Sequence, residues 1–201
     1  MSAAPGAAGD DTASAPDTRR APAAGIHDAL LPDFCRTPTL ILGCGNTLFG
    51  DDGFGCELVE HLERHCAVPD DVCLLDVGTG VRKLLFTLCL SPVRPRRILV
   101  IDAIDAGRPA GTIMEIDPAD IPAVKLDDFS MHHQPTSNLL RDLQVACGVV
   151  VRVLACQTGP LPDEVRPGLS DAMRAALPSA ADWVAREYFA TAWLCGDRPS
   201  T

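Results

Sequence analysis

Residues 40–55 read Leu40-Ile41-Leu42-Gly43-Cys44-Gly45-Asn46-Thr47-Leu48-Phe49-Gly50-Asp51-Asp52-Gly53-Phe54-Gly55 and confine this chain to few architectures. An apolar run of strand character breaks into a glycine-punctuated turn. Leu58, Val59 and Leu62 then recur at the spacing of one helix face. A strand that feeds a helix through a short turn is the repeating unit of an α/β sheet. Its turn lies at the carboxyl end of the strand, where open sheets of this kind place their ligands. Two adjacent carboxylates, Asp51 and Asp52, together with Asn46, make this turn a candidate site rather than a plain connector.

The rest of the chain repeats the unit. Strand patterns are expected over residues 39–43, 72–76, 97–102 and 149–156, with a weaker one over 111–116 at an edge or in a hairpin. Helical patterns are expected over 53–65, 81–90, 136–147 and 170–192, the last interrupted or kinked at Pro178. Near-continuous Val/Ile/Leu strands alternating with helices imply a mostly parallel sheet covered on both faces. The expected fold class is therefore α/β: a single three-layer α/β/α sandwich with a twisted sheet. Residues 1–36, rich in Ala, Pro, Gly, Asp and Thr, read as a disordered tail, leaving 37–195 as the domain.

Composition excludes several function classes. Of 201 residues, 47% are hydrophobic and 22% charged, which suits one core of ordinary size. A net charge of −10 opposes nucleic-acid binding, which needs clustered Lys and Arg. No apolar run approaches the roughly 20 residues of a membrane helix, and no signal peptide is evident. Nine cysteines without a Cys-x-x-Cys pair read as small buried hydrophobes in a reducing, cytoplasmic setting.

Acidic residues collect where the strands are expected to end. Asp51 and Asp52 follow the first strand, Asp76 ends the second in Leu74-Leu75-Asp76-Val77-Gly78-Thr79-Gly80, and Asp102 ends the third. In a parallel sheet these carboxylates gather along one rim, where crowded acids share a proton or a cation. Asp51 and Asp76 could instead cap the helices that begin near Gly53 and Gly80. Asp102 closes an apolar strand and begins no obvious helix.

Two histidines, His132 and His133, stand in a loop before the helix that starts near Thr136. A rim loop could deliver one imidazole to the acids. One histidine with two carboxylates suits a divalent first-row metal with open positions for water or substrate. Water activated by such a metal or by a carboxylate is a standard nucleophile for hydrolysis. His61 and His65, four apart on the first helix, read as solvent-facing.

The segment from Gly43 to Gly55 closely resembles the opening motif of the hydrogenase maturation endopeptidases. So do Asp76-x-Gly78-Thr79, the Asp102-Ala103 strand end, Ala110-Gly111-Thr112 and Ser130-x-His132, all in the family's order. The resemblance spans about residues 39–190 and implies a phosphorylase/hydrolase-like α/β/α sandwich. It implies a cytoplasmic hydrolase that removes the C-terminal extension of a nickel–iron hydrogenase large subunit after nickel insertion. The implied metal site is Asp52, Asp102 and His132, with Asp76 as an additional acid, so that Asp52, Asp76 and Asp102 form the implied catalytic set. Asp52 stands where many relatives have Glu, and the doubled histidine leaves His133 as the other possible register. The implied partner is the immature large subunit, and the implied metal is nickel presented by that substrate, or another divalent ion in the isolated protein. The segment from Cys156 to Ser170 resembles relatives that serve cytosolic, cofactor-reducing hydrogenases.

Two other readings fit parts of the pattern. A non-proteolytic, nickel-sensing docking factor would use the same fold and partner. A nucleotide-binding α/β module would use Gly43-x-Gly45 after the first strand, but the third glycine is missing and Asp51-Asp52 would repel phosphate. No Gly-x-Ser-x-Gly elbow is present, and Cys44 reads as packing.

Overall fold

The computed structural model describes residues 32–118 and 136–189. The strands are β1 (Thr39–Cys44), β2 (Val72–Gly78), β3 (Arg97–Ile104), β4 (Ile113–Ile116) and β5 (Val150–Gln157). The helices are α1 (Phe54–His65), α2 (Val81–Leu90), α3 (Thr136–Val145) and α4 (Asp171–Tyr188). A 3₁₀ turn, Gly50–Gly53, leads into α1. The strand order is β2-β1-β3-β5-β4. β1 pairs in parallel with both β2 and β3, and β3 with β5, whereas β4 runs antiparallel to β5. The weak fifth strand is thus an edge strand, and β5 separates it from β3.

The alternation of side chains along each strand sorts the core into two layers. On one face Ile41, Leu99 and Ile101 pack with Phe54, Leu58 and Leu62 of α1 and with Met173, Leu177 and Val184 of α4. On the other, Leu40, Leu42, Ile98 and Val100 pack with Leu85 and Leu88 of α2 and with Leu140 and Leu143 of α3. Leu40, Ile41 and Leu42 have no exposed surface at all, as a parallel strand covered on both faces requires. The expected three-layer α/β/α sandwich is therefore present, with α1 and α4 on one side and α2 and α3 on the other.

Three local expectations shift. Asp33–Cys35, within the stretch read as a tail, forms a 3₁₀ turn that buries Cys35 in the second layer. Helix α4 runs through Pro178 without interruption. Proline removes the hydrogen bond to the carbonyl four residues back, that of Arg174, but Arg174 and Pro178 both lie on the exposed face, where water replaces the lost donor. Among the cysteines, seven described ones carry free thiols, as expected of buried hydrophobes, while Cys66 is disulfide-bonded.

Helix α1 sits closer to the sheet than a side chain would allow. A Cβ on Gly55 would lie 2.3 Å from the Ile101 carbonyl oxygen and 2.4 Å from that of Cys44. The absence of a side chain here lets the start of α1 rest directly on the backbones of β1 and β3. It brings the 3₁₀ turn over the carboxyl end of the sheet, where the turn contacts β3.

Candidate active site

The turn that follows β1 is held by the backbone before any acid is considered. Gly45 has φ of +116°, and a Cβ there would fall 1.7 Å from the Asp52 carbonyl oxygen. Beyond it the Asn46 N–H donates to Asp52 Oδ2 at 2.7 Å, and the Leu48 N–H donates to Asn46 Oδ1 at 3.1 Å. The Asp52 N–H donates to the Phe49 carbonyl at 3.3 Å, closing the 3₁₀ turn. The half-buried Asp52 carboxylate is thereby fixed at the end of β1, accepting from the backbone of its own turn.

Its neighbour Asp51 points elsewhere. Asp51 is 5% exposed and accepts from the Ser170 N–H at 2.7 Å, the Ser170 hydroxyl at 3.0 Å and the Gly159 N–H at 3.1 Å. Ser170 is itself the N-cap of α4, its hydroxyl accepting from the Met173 N–H. Asp51 does not cap α1, the role open to it from sequence, but ties the start of α4 to the turn that carries Asp52. Its negative charge adds to the effect of burial in pushing the Cys156 thiol up to about 12.

Asp76 and Asp102 stand on opposite faces of the sheet. Along β3, Ile101 and Ala103 belong to the layer of α1 and α4, so Asp102 between them faces the layer of α2 and α3. Along β2, Leu74 packs with the α1 layer while Leu75 and Val77 pack with the other, so Asp76 faces α1. Asp102 is partly buried, and its Oδ1 accepts from the Ala103 N–H at 2.9 Å. Asp76 is exposed and accepts from the Gly78 N–H at 3.0 Å. It makes no side-chain cap on α2, because the two-residue turn to Gly78 takes its oxygen first.

The four acids lie along one rim of the sheet, as the parallel strands predict, but their side chains diverge. Asp51 turns toward α4 and Asp76 toward α1. Among the described residues no three His, Cys, Asp or Glu side chains are arranged to hold a metal ion. The turn and strand that remain together are those of Asp52 and Asp102, since the 3₁₀ turn lies against β3. Ser130, His132 and His133 lie outside the described residues. Carboxylates joined by an imidazole are, as a class, a donor set suited to a divalent first-row ion.

An open cleft of about 230 Å³ adjoins the turn, lined by Gly45, Asn46, Thr47, Cys56, Asp76, Gly78 and Thr79. Cys56 is no nucleophile. Burial first, and then the hydrogen bond and charge of Asp76, push its thiol up to about 12, where the thiolate is scarce at neutral pH.

Ser170 and Gln157 carry positions that sequence reasoning did not single out. Gln157, 2% exposed at the end of β5, accepts from the Ala106 N–H at 2.8 Å and the Arg108 N–H at 3.1 Å. It donates to Asp105 Oδ1 at 3.0 Å and to the Thr158 carbonyl at 2.8 Å. With the Gly107 N–H, this bond holds the Asp105 carboxyl below the usual carboxylate range. Gln157 therefore sets the course of the loop after β3. The signal available was one amide closing an otherwise apolar strand.

Known proteins bear on this arrangement. Residues 56–187 match the HycI family, hydrogenase maturation protease. A candidate hydrogenase maturation protease of Methanocaldococcus jannaschii is 40% identical over 150 residues, covering 74% of this chain and 94% of that protein. The hydrogenase 2 maturation protease of Escherichia coli is 30% identical over 148 residues, covering 72% and 87%. The crystal structure of a [NiFe] hydrogenase maturation protease HycI from Thermococcus kodakarensis shares the fold, with a TM-score of 0.60 at 23% identity over 75% of this chain and 92% of that one. The hydrogenase maturating endopeptidase HybD of Escherichia coli superposes with a TM-score of 0.57 at 27% identity, over 75% and 93%. With the matched region running from α1 into α4 and the relatives aligned across most of their length, this chain belongs to the hydrogenase maturation protease family.

Proposed function

We propose that this protein is the endopeptidase that removes a C-terminal extension from the large subunit of a nickel–iron hydrogenase once nickel has been inserted. The observation that carries the reading is the placement of Asp52 and Asp102 at one end of the sheet, with Asp52 clamped by the Asn46 N–H at 2.7 Å. A carboxylate already anchored on one oxygen keeps the other for a ligand, with little reorganisation needed.

In this reading Asp52, Asp102 and His132 receive a nickel ion that arrives with the substrate, or another divalent ion in the isolated protein. Bound there, such an ion would supply Lewis acidity and would mark the subunit as loaded. The two carboxylates position the attacking water and accept its proton, which leaves with the amine of the released peptide. Asp76, exposed in the adjoining cleft, is the acid that meets the incoming chain. The cysteines take no part as nucleophiles, and the reaction is placed in the cytoplasm.

The test mixes the purified protein with a nickel-loaded, unprocessed large subunit and with a nickel-free control, and follows loss of the C-terminal peptide by mass. Cleavage confined to the loaded sample, and abolished by Asp52→Ala and by Asp102→Ala in folded protein, is the expected result. Binding without cleavage would replace the endopeptidase with a docking factor, and full cleavage by both variants would remove these acids from the site.

A further inference from the structure

Two adjacent acids in one 3₁₀ turn have opposite surroundings. Asp52 faces the site edge, whereas Asp51 is buried and accepts only N–H and O–H donors from residues 108 and 119 positions away. Among the described residues no cation pairs with Asp51, and its three donors carry the burden of stabilising it. These donors belong to the segment after β5 and to the N-cap residue of α4. Helix α4 is itself anchored through Met173, Ala176, Leu177 and Ala180, all buried against the sheet. The same segment grips the turn at a second point. The Arg166 N–H donates to the Leu48 carbonyl at 2.8 Å, and Phe49 and Arg166 form an isolated parallel bridge.

We infer that Asp51 is a positioning residue of the protease, and that its clamp on Ser170 and Gly159 fixes the rotation of the turn that presents Asp52. The turn has two glycines, Gly50 with φ of +61° and Gly53, and little side-chain packing of its own on the solvent side. Without the clamp the turn keeps its Arg166 N–H bond at Leu48 and its contact with β3, but loses the three donors that fix the orientation of residue 51 next to Asp52. Outer contacts of this kind typically act on turnover by about 10–100-fold. The inference rests on the assignment of Asp52 to the active site.

The experiment measures kcat and KM for cleavage of the nickel-loaded large subunit by Asp51→Asn, Ser170→Ala and Glu115→Gln, well below each melting temperature. Asn replaces one acceptor by a donor facing an N–H or O–H group, and Ser170→Ala removes the hydroxyl donor. Glu115 lies on β4, away from the turn, and its variant serves as a matched loss of a side-chain contact. The expected result is a kcat about 10–100-fold lower for Asp51→Asn, and several-fold lower for Ser170→Ala, with KM within about twofold and Glu115→Gln at the wild-type rate. Should Asp51→Asn fail to fold, Ser170→Ala decides. Wild-type kcat in the folded variants, or a change confined to KM, would overturn the inference and make the clamp a stability element only. Running Asp52→Ala alongside separates the two levels: its full activity would remove the assignment of Asp52 itself, whatever Asp51→Asn shows.

Discussion

Gly45 and Asp52 are in backbone contact so close that a Cβ on Gly45 would overlap the Asp52 carbonyl at 1.7 Å. With φ of +116°, Gly45 also occupies backbone space that residues with a side chain rarely enter. Gly45→Ala is expected to destabilise the protein by about 2 kcal/mol or more through strain and overlap. Because the overlap falls on Asp52 itself, processing should fall further than stability does. Denaturant unfolding and a cleavage assay on the same preparation would show whether both effects occur.

The two histidines offer a direct comparison. His132→Ala is expected to abolish processing of the nickel-loaded subunit, whereas His133→Ala should leave most of it. The melting temperature of each variant, measured on the same preparation, separates a loss of chemistry from a loss of folding. The reverse pattern would move the register of the third ligand by one residue.

Cys56 should be chemically silent. With its thiol near 12, alkylation by iodoacetamide at pH 7.5 should leave it unmodified in the native protein, as intact mass and peptide mapping would report. Removing the Asp76 charge lowers that value, so Asp76→Asn should speed Cys56 modification. Burial is the larger cause, so the residue should stay slow compared with a thiol in unfolded protein.

The edge strand β4 is held by charge. Arg152 of β5 donates to Glu115 of β4 at 2.5 and 2.6 Å and to Glu187 of α4 at 2.8 Å, with its guanidinium 4.9 Å from the centre of the Trp183 ring. The bond from Arg152 holds the Glu115 carboxyl below its ordinary value of 4.5. A carboxyl whose pKa is lower in the folded state adds stability above its unfolded value and loses that contribution as pH falls through the folded one. The difference in melting temperature between wild type and Glu115→Gln should therefore be largest near neutrality and shrink as pH drops below about 4.5. Glu115 is partly exposed, so the effect at neutral pH should be modest, within about 1 kcal/mol.

The sandwich was legible because its causes are local. The runs Leu40-Ile41-Leu42 and Ile98-Leu99-Val100-Ile101 are apolar on both faces, which only a strand buried between two helical layers tolerates. Helix positions followed from the spacing of residues such as Leu58 and Leu62, and the turn after β1 announced itself through its glycines and acids. The family motifs Gly43–Gly55, Asp76-x-Gly78-Thr79 and Asp102-Ala103 sat where those elements end, so the candidate acids were named from sequence alone.

What tertiary structure decided was the direction in which each acid points. Asp51 and Asp52 are neighbours in sequence, yet one reaches Ser170 and the other Asn46, since consecutive residues of a 3₁₀ turn project about 120° apart. Asp76 and Asp102 each stand two residues before the end of a strand, where sequence placed them at the ends, and they face opposite layers. The period of two along a strand assigns its faces only after the chain is paired, and a shift of one residue inverts them. The sequence by itself determined the layers, the order of elements and the chemistry available at the sheet's end. Which of the two neighbouring carboxylates is buried against the start of α4 depended on contacts more than 100 residues apart, and only the folded chain brings those partners together.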